Sequence, residues 1–281
     1  MIAITGATGY VGGLLCEALG GHGNSVRRLT RRPDRGRGDA FFSLDQPVAE
    51  ESLAGIETLI HAAHDFRPTR EPELRRLNVD GSLRLLEAAR RAGVRRLLFV
   101  SSIASYEGSR SAYGRVKWAL EREVAGWGGT SLRPGLVFGR ARGGLFLALG
   151  RVVRRAPFMP DFGPRATLYV VHARDLAGIV DAFLALQHPA PGLLTAAHPS
   201  PLTMRRVLEV MAEEAGARPR FVPVPPTLAL AGLRTLESTG LHLPFRSDSL
   251  ISMLHVNPTP GLTSEVLGVR LRPFDVHTLR E

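Results

Sequence analysis

The sequence has little cysteine, little lysine and no long apolar run. One cysteine, Cys16, stands among 281 residues, which excludes an intramolecular disulfide and a metal site built from cysteines. Low cysteine content is typical of a reducing compartment, so we expect a cytoplasmic protein. The first residues, MIAITGATGY, have neither the basic segment nor the apolar core of a secretory signal. No stretch approaches the 18 or so apolar residues that span a bilayer, so we expect no membrane partner.

Lysine is almost absent, whereas arginine is abundant. Lys117 is the one lysine among 36 basic residues, and the formal net charge is +10. Such a charge would suit a nucleic-acid partner, but the arginines are scattered from Arg27 to Arg280 and are not massed with aromatic residues. We therefore expect no nucleic-acid surface. The 44% share of hydrophobic residues beside 22% charged residues excludes disordered and low-complexity classes.

Short β-rich runs alternate with longer amphipathic stretches along most of the chain. Strands interleaved with helices predict an α/β protein with a parallel, doubly wound sheet covered by helices on both faces. Predicted strands occupy 2–5, 25–30, 40–44, 58–63, 97–102, 131–138 and 192–198, predicted helices occupy 10–19, 73–93 and 112–124, and 168–186 combines a strand with a helix.

The alternation loosens after residue 139 and again after residue 200. We therefore predict a larger domain over 1–138 plus about 168–199, built on the parallel sheet. The rest of the chain, about 139–167 plus 200–281, is predicted to form a smaller C-terminal lobe that binds the substrate.

The first predicted strand runs into a glycine-rich turn, TGATGYVG at 5–12. Gly6, Gly9 and Gly12 have the spacing G-x-x-G-x-x-G and precede a predicted helix. A tight turn from a strand into a helix needs residues without a Cβ, and the start of the helix offers unpaired N–H groups to a pyrophosphate. In this position the motif predicts a dinucleotide site rather than an ordinary turn.

Two arginines follow the second predicted strand. An NAD site usually has a carboxylate here for the ribose hydroxyls, whereas an arginine can pair with the 2′-phosphate of NADP. Arg31 and Arg32 stand at this point, and no acid lies between the predicted strand and Asp34. We therefore predict NADP in preference to NAD, with Arg31 as the main contact.

The one lysine lies four residues after one of only four tyrosines, in YGRVK at 113–117. On a helix this spacing places Tyr113 and Lys117 on the same face. A nearby positive charge favours the phenolate, so we expect Lys117 to lower the pKa of Tyr113 from about 10 towards neutral pH. Such a tyrosine is a general acid or base for a carbonyl or an alcohol.

Ser101 and Ser102 end the predicted strand LLFVSS at 97–102. The carboxyl ends of parallel strands border the crevice where open α/β sheets bind ligands. A serine hydroxyl at this place can hold the carbonyl oxygen that Tyr113 protonates. The hypothesis is therefore a serine, a tyrosine and a lysine acting on one oxygen atom.

These motifs resemble the extended branch of the short-chain dehydrogenase/reductase superfamily, whose members are NAD-dependent epimerase/dehydratase-like proteins. The similar segments occur in the family's order and cover most of residues 1–200, and GLTSEVLGVRLRPF near the end looks like the closing segment of that branch. The segments are TGATGYVG (5–12), LIHAAH (59–64), LNVDGSLRLLEAA (77–89), VRRLLFVSSIASYEG (94–108), YGRVK (113–117), SLRPGLVFG (131–139) and VVHARDLAGIV (170–180).

The resemblance implies a Rossmann-type fold, a nicotinamide dinucleotide cofactor and a catalytic trio. Ser102 takes the place of the family's catalytic serine, Tyr113 that of its acid/base, and Lys117 that of the lysine that also holds the nicotinamide ribose. The cofactor contacts that the resemblance implies are Gly6, Thr8, Gly9, Tyr10, Val11, Ala62, Ala63, Asn78, Pro134 and Gly135.

The chain departs from the family pattern in three places. Where the family carries Asp-Leu to meet the adenine, this chain has Ser43 and Leu44, so only Leu44 keeps that expected contact. The stretch 103–106 lacks the threonine and acids of sugar-dehydrating members, so we expect no dehydration by that route. The segment from Ser102 to Tyr113 is also short, at eleven residues, and omits a loop that often bears on substrate.

Other polar residues lie near the predicted crevice. Asp175 is predicted to cap the helix that follows it, His172 suits packing and binding equally, and Arg165 has no assigned role. His61 and His64 are three residues apart. No third ligand accompanies them, so we predict no metal site.

Together these observations predict an NADP-dependent oxidoreductase that transfers a hydride between nicotinamide and a small-molecule carbonyl or alcohol. Tyr113 is the predicted general acid or base, and the hydride chemistry belongs to the cofactor. The alternatives are a nucleotide-sugar epimerase and a non-catalytic dinucleotide-binding sensor or assembly protein. Substrate identity, reaction direction and homodimer formation stay open at this stage.

Overall fold

A computed structural model describes residues 1–68, 70–139, 144–187, 190–240 and 245–281. The strands are β1 (Ile2–Thr5), β2 (Val26–Thr30), β3 (Ala40–Phe41), β4 (Thr58–His61), β5 (Arg96–Val100), β6 (Thr130–Pro134), β7 (Leu136–Phe138), β8 (Phe158–Asp161), β9 (Thr167–Leu168), β10 (Val170–His172), β11 (Leu193–Ala196), β12 (Leu202–Thr203), β13 (Arg220–Pro223), β14 (Glu265–Val266) and β15 (Val269–Arg270).

The helices alternate with these strands over the first two thirds of the chain and dominate the last third. They are α1 (Tyr10–Gly21), α2 (Glu71–Arg75), α3 (Gly81–Arg91), α4 (Ala112–Trp127), α5 (Gly144–Arg155), α6 (Ala173–Ala185), α7 (Met204–Glu214), α8 (Pro226–Ser238), α9 (Ser247–Leu254) and α10 (Val276–Arg280). A π-helical turn, Arg76–Asp80, joins α2 to α3. Within the described ranges, no helix is both long and apolar enough to cross a bilayer.

Seven strands form one sheet in the order β11-β6-β5-β4-β1-β2-β3. Every neighbouring pair is parallel. The chain moves outward from β1 to β3 and then outward on the other side from β4, so the sheet is doubly wound and Rossmann-like, as predicted. Because all seven strands run in one direction, their carboxyl ends lie at the same edge of the sheet.

Apolar residues of the central strands pack against helices on both faces of the sheet. In β1, Ile2 and Ile4 belong to a core shared with Leu15 of α1 and Ile179 of α6. Ala3 points to the opposite face and joins a second core with α3 and α4. Burial on both faces explains why these strands are short apolar runs without polar alternation.

A third core lies in the part of the chain that follows β6. Helices α5, α7 and α9 contribute Phe146, Val207 and Leu250 to it. Two short strand pairs accompany these helices, β8 with β13 and β9 with β12. Val266 and Leu271, near the end of the chain, instead join the core beneath α1 and α6.

The structure corrects several predicted boundaries. The predicted strand over 131–138 is two strands, because the chain leaves the large sheet at Gly135 and β7 pairs with β10. The predicted helix over 73–93 is interrupted by the π-helical turn around Asn78. The strands predicted over 40–44, 58–63 and 97–102 end earlier, at Phe41, His61 and Val100.

Candidate active site

The predicted site residues gather at the carboxyl edge of the sheet. Gly6 follows β1, Arg31 follows β2, Ala62 follows β4 and Ser102 follows β5, while Pro134 ends β6. Parallel strands bring these residues together although they are far apart in sequence. This edge is the general ligand site of open α/β sheets.

The glycine turn between β1 and α1 is too closely packed for side chains. Gly6 has φ +66°, and a Cβ on it would lie 2.8 Å from the Ala63 nitrogen. A Cβ on Gly12 would lie only 2.2 Å from the Gly6 oxygen. Thr8 and Gly9 are exposed, and Gly9 has no side chain to cap the first N–H groups of α1. Those N–H groups have no acceptor within the helix, so the turn fits the pyrophosphate of a dinucleotide.

Tyr10 and Val11 begin α1, directly after this turn. The Tyr10 hydroxyl donates a hydrogen bond to the Val137 oxygen at 3.3 Å, and burial raises the pKa of that phenol well above its usual value. Val11 packs against the core beneath α1 and α6. Both side chains are therefore engaged within the protein.

The end of β4 is fastened to β1 by Thr5. The N–H groups of Ala62 and Ala63 each donate to Thr5 Oγ1 at 3.1 Å. His61 is buried, with Nδ1 2.7 Å from Thr5 Oγ1 and Nε2 2.7 Å from Ser82 Oγ. Burial also lowers the pKa of His61 to about 3. With both ring nitrogens in hydrogen bonds, His61 serves the fold.

Asn78 holds the loop that follows β4. Its Oδ1 accepts a hydrogen bond from the Asp65 nitrogen at 2.7 Å. Its Nδ2 donates to the oxygens of Asp65 and Leu74, both at 3.0 Å. These hydrogen bonds of the buried side chain go to the protein, and the cofactor contact that the resemblance implies for Asn78 stays a prediction.

The residues predicted to meet the adenosine lie after β2 and after β3. Arg31 and Arg32 are both exposed just after β2. Asp65 lies within electrostatic reach of Arg31: a hydrogen bond from Arg67 and, more weakly, the charge of Arg31 hold the pKa of the Asp65 carboxyl below the usual range. Leu44 is buried. A guanidinium is therefore accessible at the place where an NADP phosphate is expected.

Helix α4 places Tyr113 and Lys117 one turn apart on the same face, as the spacing predicts. Lys117 Nζ lies 5.8 Å from the centroid of the Tyr113 ring and 4.6 Å from that of Phe99. It donates a hydrogen bond of 2.7 Å to the Val100 oxygen at the end of β5. Lys117 is only 3% exposed, and burial lowers its pKa to about 7 although Glu121 opposes the shift.

The sequence-based prediction about the ionisation of Tyr113 is wrong for this structure. Burial raises the pKa of Tyr113 to about 12, a hydrogen bond with Ser102 opposes the rise, and the charge of Asp248 adds to it. Burial disfavours the charged form of both Tyr113 and Lys117. Tyr113 therefore holds its proton at neutral pH.

The two serines at the end of β5 have different surroundings. Ser101 is buried and donates a hydrogen bond of 2.5 Å to Glu121 Oε1. Ser102 is partly exposed, accepts from the Ala104 nitrogen at 3.2 Å and lies beside the Tyr113 phenol. The structure therefore brings Ser102, not Ser101, to Tyr113 and Lys117.

Two aromatic neighbours of Tyr113 were missed at the sequence level. The His64 ring meets Tyr113 edge-on at 5.0 Å, and the Phe66 ring stacks on it at 5.7 Å. Burial holds the pKa of His64 well below its usual value, so this ring is neutral. Phe66 is 61% exposed and offers its outer face to a ligand. Their position just after β4 was the signal that could have found them.

Pro134 and Gly135 mark the point where the chain leaves the large sheet. The Gly135 nitrogen donates to the Ala196 oxygen at 2.9 Å, and the Pro134 oxygen accepts from the Ile103 nitrogen at 3.0 Å. A Cβ on Gly135 would lie 2.6 Å from the Tyr169 oxygen. Glycine is thus required where this backbone borders the site.

His172 and Asp175 both make hydrogen bonds within the protein near the start of α6. His172 Nδ1 accepts from the Arg174 nitrogen at 3.2 Å and caps α6. Asp175 was predicted to be that cap, which is wrong, because His172 already occupies the position. Asp175 instead lies buried in the first turn and binds the backbone and guanidinium of Arg272. Arg165 is exposed.

Two features lie at the same edge of the sheet: the glycine turn before α1, and a serine, a tyrosine and a lysine. Together they are typical of nicotinamide dinucleotide-dependent Rossmann enzymes. Comparison with known families agrees: the profile described as NAD dependent epimerase/dehydratase family matches residues 2–190. The chain belongs to this family. Its curated relatives include proteins named as a reductase, an epimerase and a dehydrogenase, so the chain is an enzyme of the NAD(P)-dependent oxidoreductase type.

Individual relatives extend the similarity over nearly the whole chain. A ceramide reductase of Caulobacter vibrioides is 31% identical over 285 residues, which cover 96% of this chain and 89% of that protein. A nucleoside-diphosphate-sugar epimerase of Staphylococcus aureus superposes with a TM-score of 0.73 at 15% identity, covering 99% of each chain. The UDP-glucose 4-epimerase of Thermus thermophilus, in complex with NAD, gives 0.62 at 23% identity, covering 90% of this chain and 98% of its own. The two structures show a shared fold.

Proposed function

We propose that this protein is an NADP-dependent reductase in which Tyr113 gives a proton to the oxygen of a substrate carbonyl. The observation that carries the proposal is that α4 places Tyr113 and Lys117 on one face, with the Tyr113 phenol beside Ser102 at the carboxyl edge of the sheet. Reduction needs a proton donor at this position, whereas oxidation of an alcohol needs the phenolate as a base. A protonated Tyr113 suits the reduction of a carbonyl.

Each residue of the trio has its own task. Ser102 and Tyr113 donate hydrogen bonds to the carbonyl oxygen, which stabilises the negative charge that develops there. The glycine turn and Arg31 would hold the phosphates of NADPH, which would supply the hydride when bound. Tyr113 transfers its proton to the oxygen. Lys117 fixes the first turns of α4 through the Val100 oxygen, and its protonated form stabilises the phenolate that is left.

We also propose that the substrate is a ketone on a lipid-like molecule. Phe66 exposes an apolar ring against Tyr113, and apolar surface of this kind favours contact with hydrocarbon. The relative named ceramide reductase aligns with 96% of this chain, and ceramides are lipids. We further propose that the lobe over about 139–167 and 200–281 holds the substrate against the sheet edge, since a separate core supports much of it.

Arg31 is the residue expected to select NADP. Changing Arg31 to Ala removes the guanidinium that would pair with the 2′-phosphate, and loss of such a charged hydrogen bond costs about 1.5–3 kcal/mol. The dissociation constant for NADPH should therefore rise at least about 10-fold, while that for NADH changes less than about 2-fold. Titration of cofactor fluorescence measures both values.

The matched control for this change is Arg90→Ala. Arg90 is exposed on α3, so its loss lowers the net charge equally without removing a predicted cofactor contact. We expect Arg90→Ala to leave both dissociation constants unchanged. If the unaltered protein binds NADH more tightly than NADPH, the assignment of NADP is wrong.

A further inference from the structure

The start of α4, which carries Tyr113, is held by a carboxylate from α9. Asp248 Oδ1 accepts a hydrogen bond from the Ala112 nitrogen at 2.7 Å, and Oδ2 accepts one from the Tyr113 nitrogen at 3.0 Å. The next N–H group, that of Gly114, donates to Ser111 Oγ at 3.0 Å. The first N–H groups of a helix have no acceptor within it. Asp248 and Ser111 therefore satisfy three of these groups in α4.

Two more contacts tie the same segment to loops of the active site. Arg246, just before α9, donates a hydrogen bond of 2.9 Å to the oxygen of Phe66, whose ring stacks on Tyr113. At the other end of α9, the His255 oxygen accepts a hydrogen bond of 2.7 Å from the Tyr106 hydroxyl. Tyr106 lies in the loop that follows Ser102. Helix α9 thus contacts the three segments that surround the reacting oxygen.

Helix α9 is itself anchored within the lobe. Glu237 at the end of α8 accepts hydrogen bonds from the Ser247 nitrogen and from Ser247 Oγ, both at 2.7 Å. Leu250 and Met253 of α9 are buried in the third core. A displacement of this part of the lobe would therefore be transmitted to α4 through Asp248.

We propose that Asp248 is a positioning residue of the reaction, which fixes the first turn of α4 and with it the Tyr113 hydroxyl opposite Ser102. The proposal rests on the role of Tyr113 given under the proposed function. The carboxylate suits this task because its two oxygens satisfy two successive N–H groups, which a neutral side chain with one acceptor cannot do.

The charge of Asp248 has a second effect on Tyr113. It raises the pKa of the phenol in addition to the larger effect of burial. Among the described residues, the other polar or titratable groups beside Tyr113 are Lys117 from the same helix, the neutral His64 ring and the Ser102 hydroxyl. Removing the negative charge of Asp248 leaves these groups in place. The pKa of Tyr113 should then fall.

The test compares Asp248→Asn and Asp248→Ala with a matched control, Asp275→Asn. Asp275 caps α10 by accepting a hydrogen bond from the Thr278 nitrogen at 2.8 Å, so its loss also removes an acidic helix cap from the lobe. We expect Asp248→Ala to lower kcat at least about 10-fold with little change in the dissociation constant for NADPH. Asp275→Asn removes the same charge as Asp248→Asn from another helix cap and should keep its kcat.

The pH profile separates positioning from simple stabilisation. A reductase needs protonated Tyr113, so kcat falls as the pH rises through the pKa of that phenol. In Asp248→Asn this fall should occur at a lower pH than in the unaltered protein, because the negative charge that raises the pKa of Tyr113 is gone. The proposal is overturned if Asp248→Asn and Asp275→Asn have the same profile and lose activity only in proportion to stability.

A spectroscopic measurement separates this proposal from the proposed function. In protein labelled with carbon-13 at the tyrosine ring, the Tyr113 signal is assigned by its loss in Tyr113→Phe. Ionisation of Tyr113 should begin at lower pH in Asp248→Asn and be unchanged in Asp275→Asn, even if the protein reduces no ketone. An unchanged Tyr113 signal in a protein that does reduce ketones refutes the role of Asp248 and leaves the proposed function intact.

Discussion

Changing Tyr113 to Phe is expected to reduce kcat by about 10³-fold, because the variant has no proton to give to the carbonyl oxygen. The phenyl ring keeps the packing against His64 and Phe66, so the fold of the site is preserved. The dissociation constant for NADPH should therefore change by less than about 2-fold. Steady-state rates with a long-chain ketone and a cofactor titration measure the two quantities.

Tyr169→Phe is the control for this substitution. Tyr169 is also partly buried, but it lies outside the trio at the sheet edge. We expect it to keep a kcat within about 2-fold of the unaltered protein, because no proton donor is lost. Near-normal turnover of Tyr113→Phe would refute the catalytic assignment.

Changing Glu121 to Ala is expected to lower the free energy of unfolding by about 3–5 kcal/mol. Glu121 and Arg133 form a buried ion pair behind the active site, with 7% of each side chain exposed. The Arg133 Nε and Nη2 atoms donate to Glu121 at 2.9 and 2.6 Å, and Ser101 donates to the same carboxylate. Without Glu121 the Arg133 charge stays buried beside the Trp118 ring, with no acid paired to it among the described residues. Urea unfolding at constant pH measures the loss.

Two further variants show whether the unpaired charge is the cause. Glu123 is exposed on the same helix, so Glu123→Ala should change the free energy of unfolding by less than about 0.5 kcal/mol. The double variant Glu121→Leu with Arg133→Met removes both charges and should recover much of the lost stability. A double variant as unstable as Glu121→Ala would contradict this explanation.

The parallel sheet could be predicted from the sequence because strands and helices have different hydrophobic periods. The break between β6 and β7 was missed, although the Pro134-Gly135 dipeptide is one that often marks a turn. The break depends on a close approach of Gly135 to the Tyr169 oxygen, which is a tertiary contact. The π-helical turn at Asn78 likewise coincides with hydrogen bonds from its side chain to the Asp65 loop.

The site residues were predictable where they lie in short motifs, but their ionisation was not. The spacing of Tyr113 and Lys117 is visible in the sequence, and it correctly places both on one face of α4. The sequence does not show that His64 and Phe66 cover the phenol. Nor does it show Asp248, which is 135 residues from Tyr113 and lies in none of the motifs that the sequence offers. These contacts determine the pKa of Tyr113 and reverse the predicted shift.

The central claim is that Tyr113 completes a net reduction by NADPH. Its most direct test is the amount of NADPH consumed per molecule of alcohol formed, measured by cofactor absorbance and product analysis with a long-chain ketone. We predict one NADPH for each alcohol, and no consumption in Tyr113→Phe on the same timescale. Epimerisation of a nucleotide sugar with no net loss of NADPH, together with no reduction of any ketone, would contradict the account.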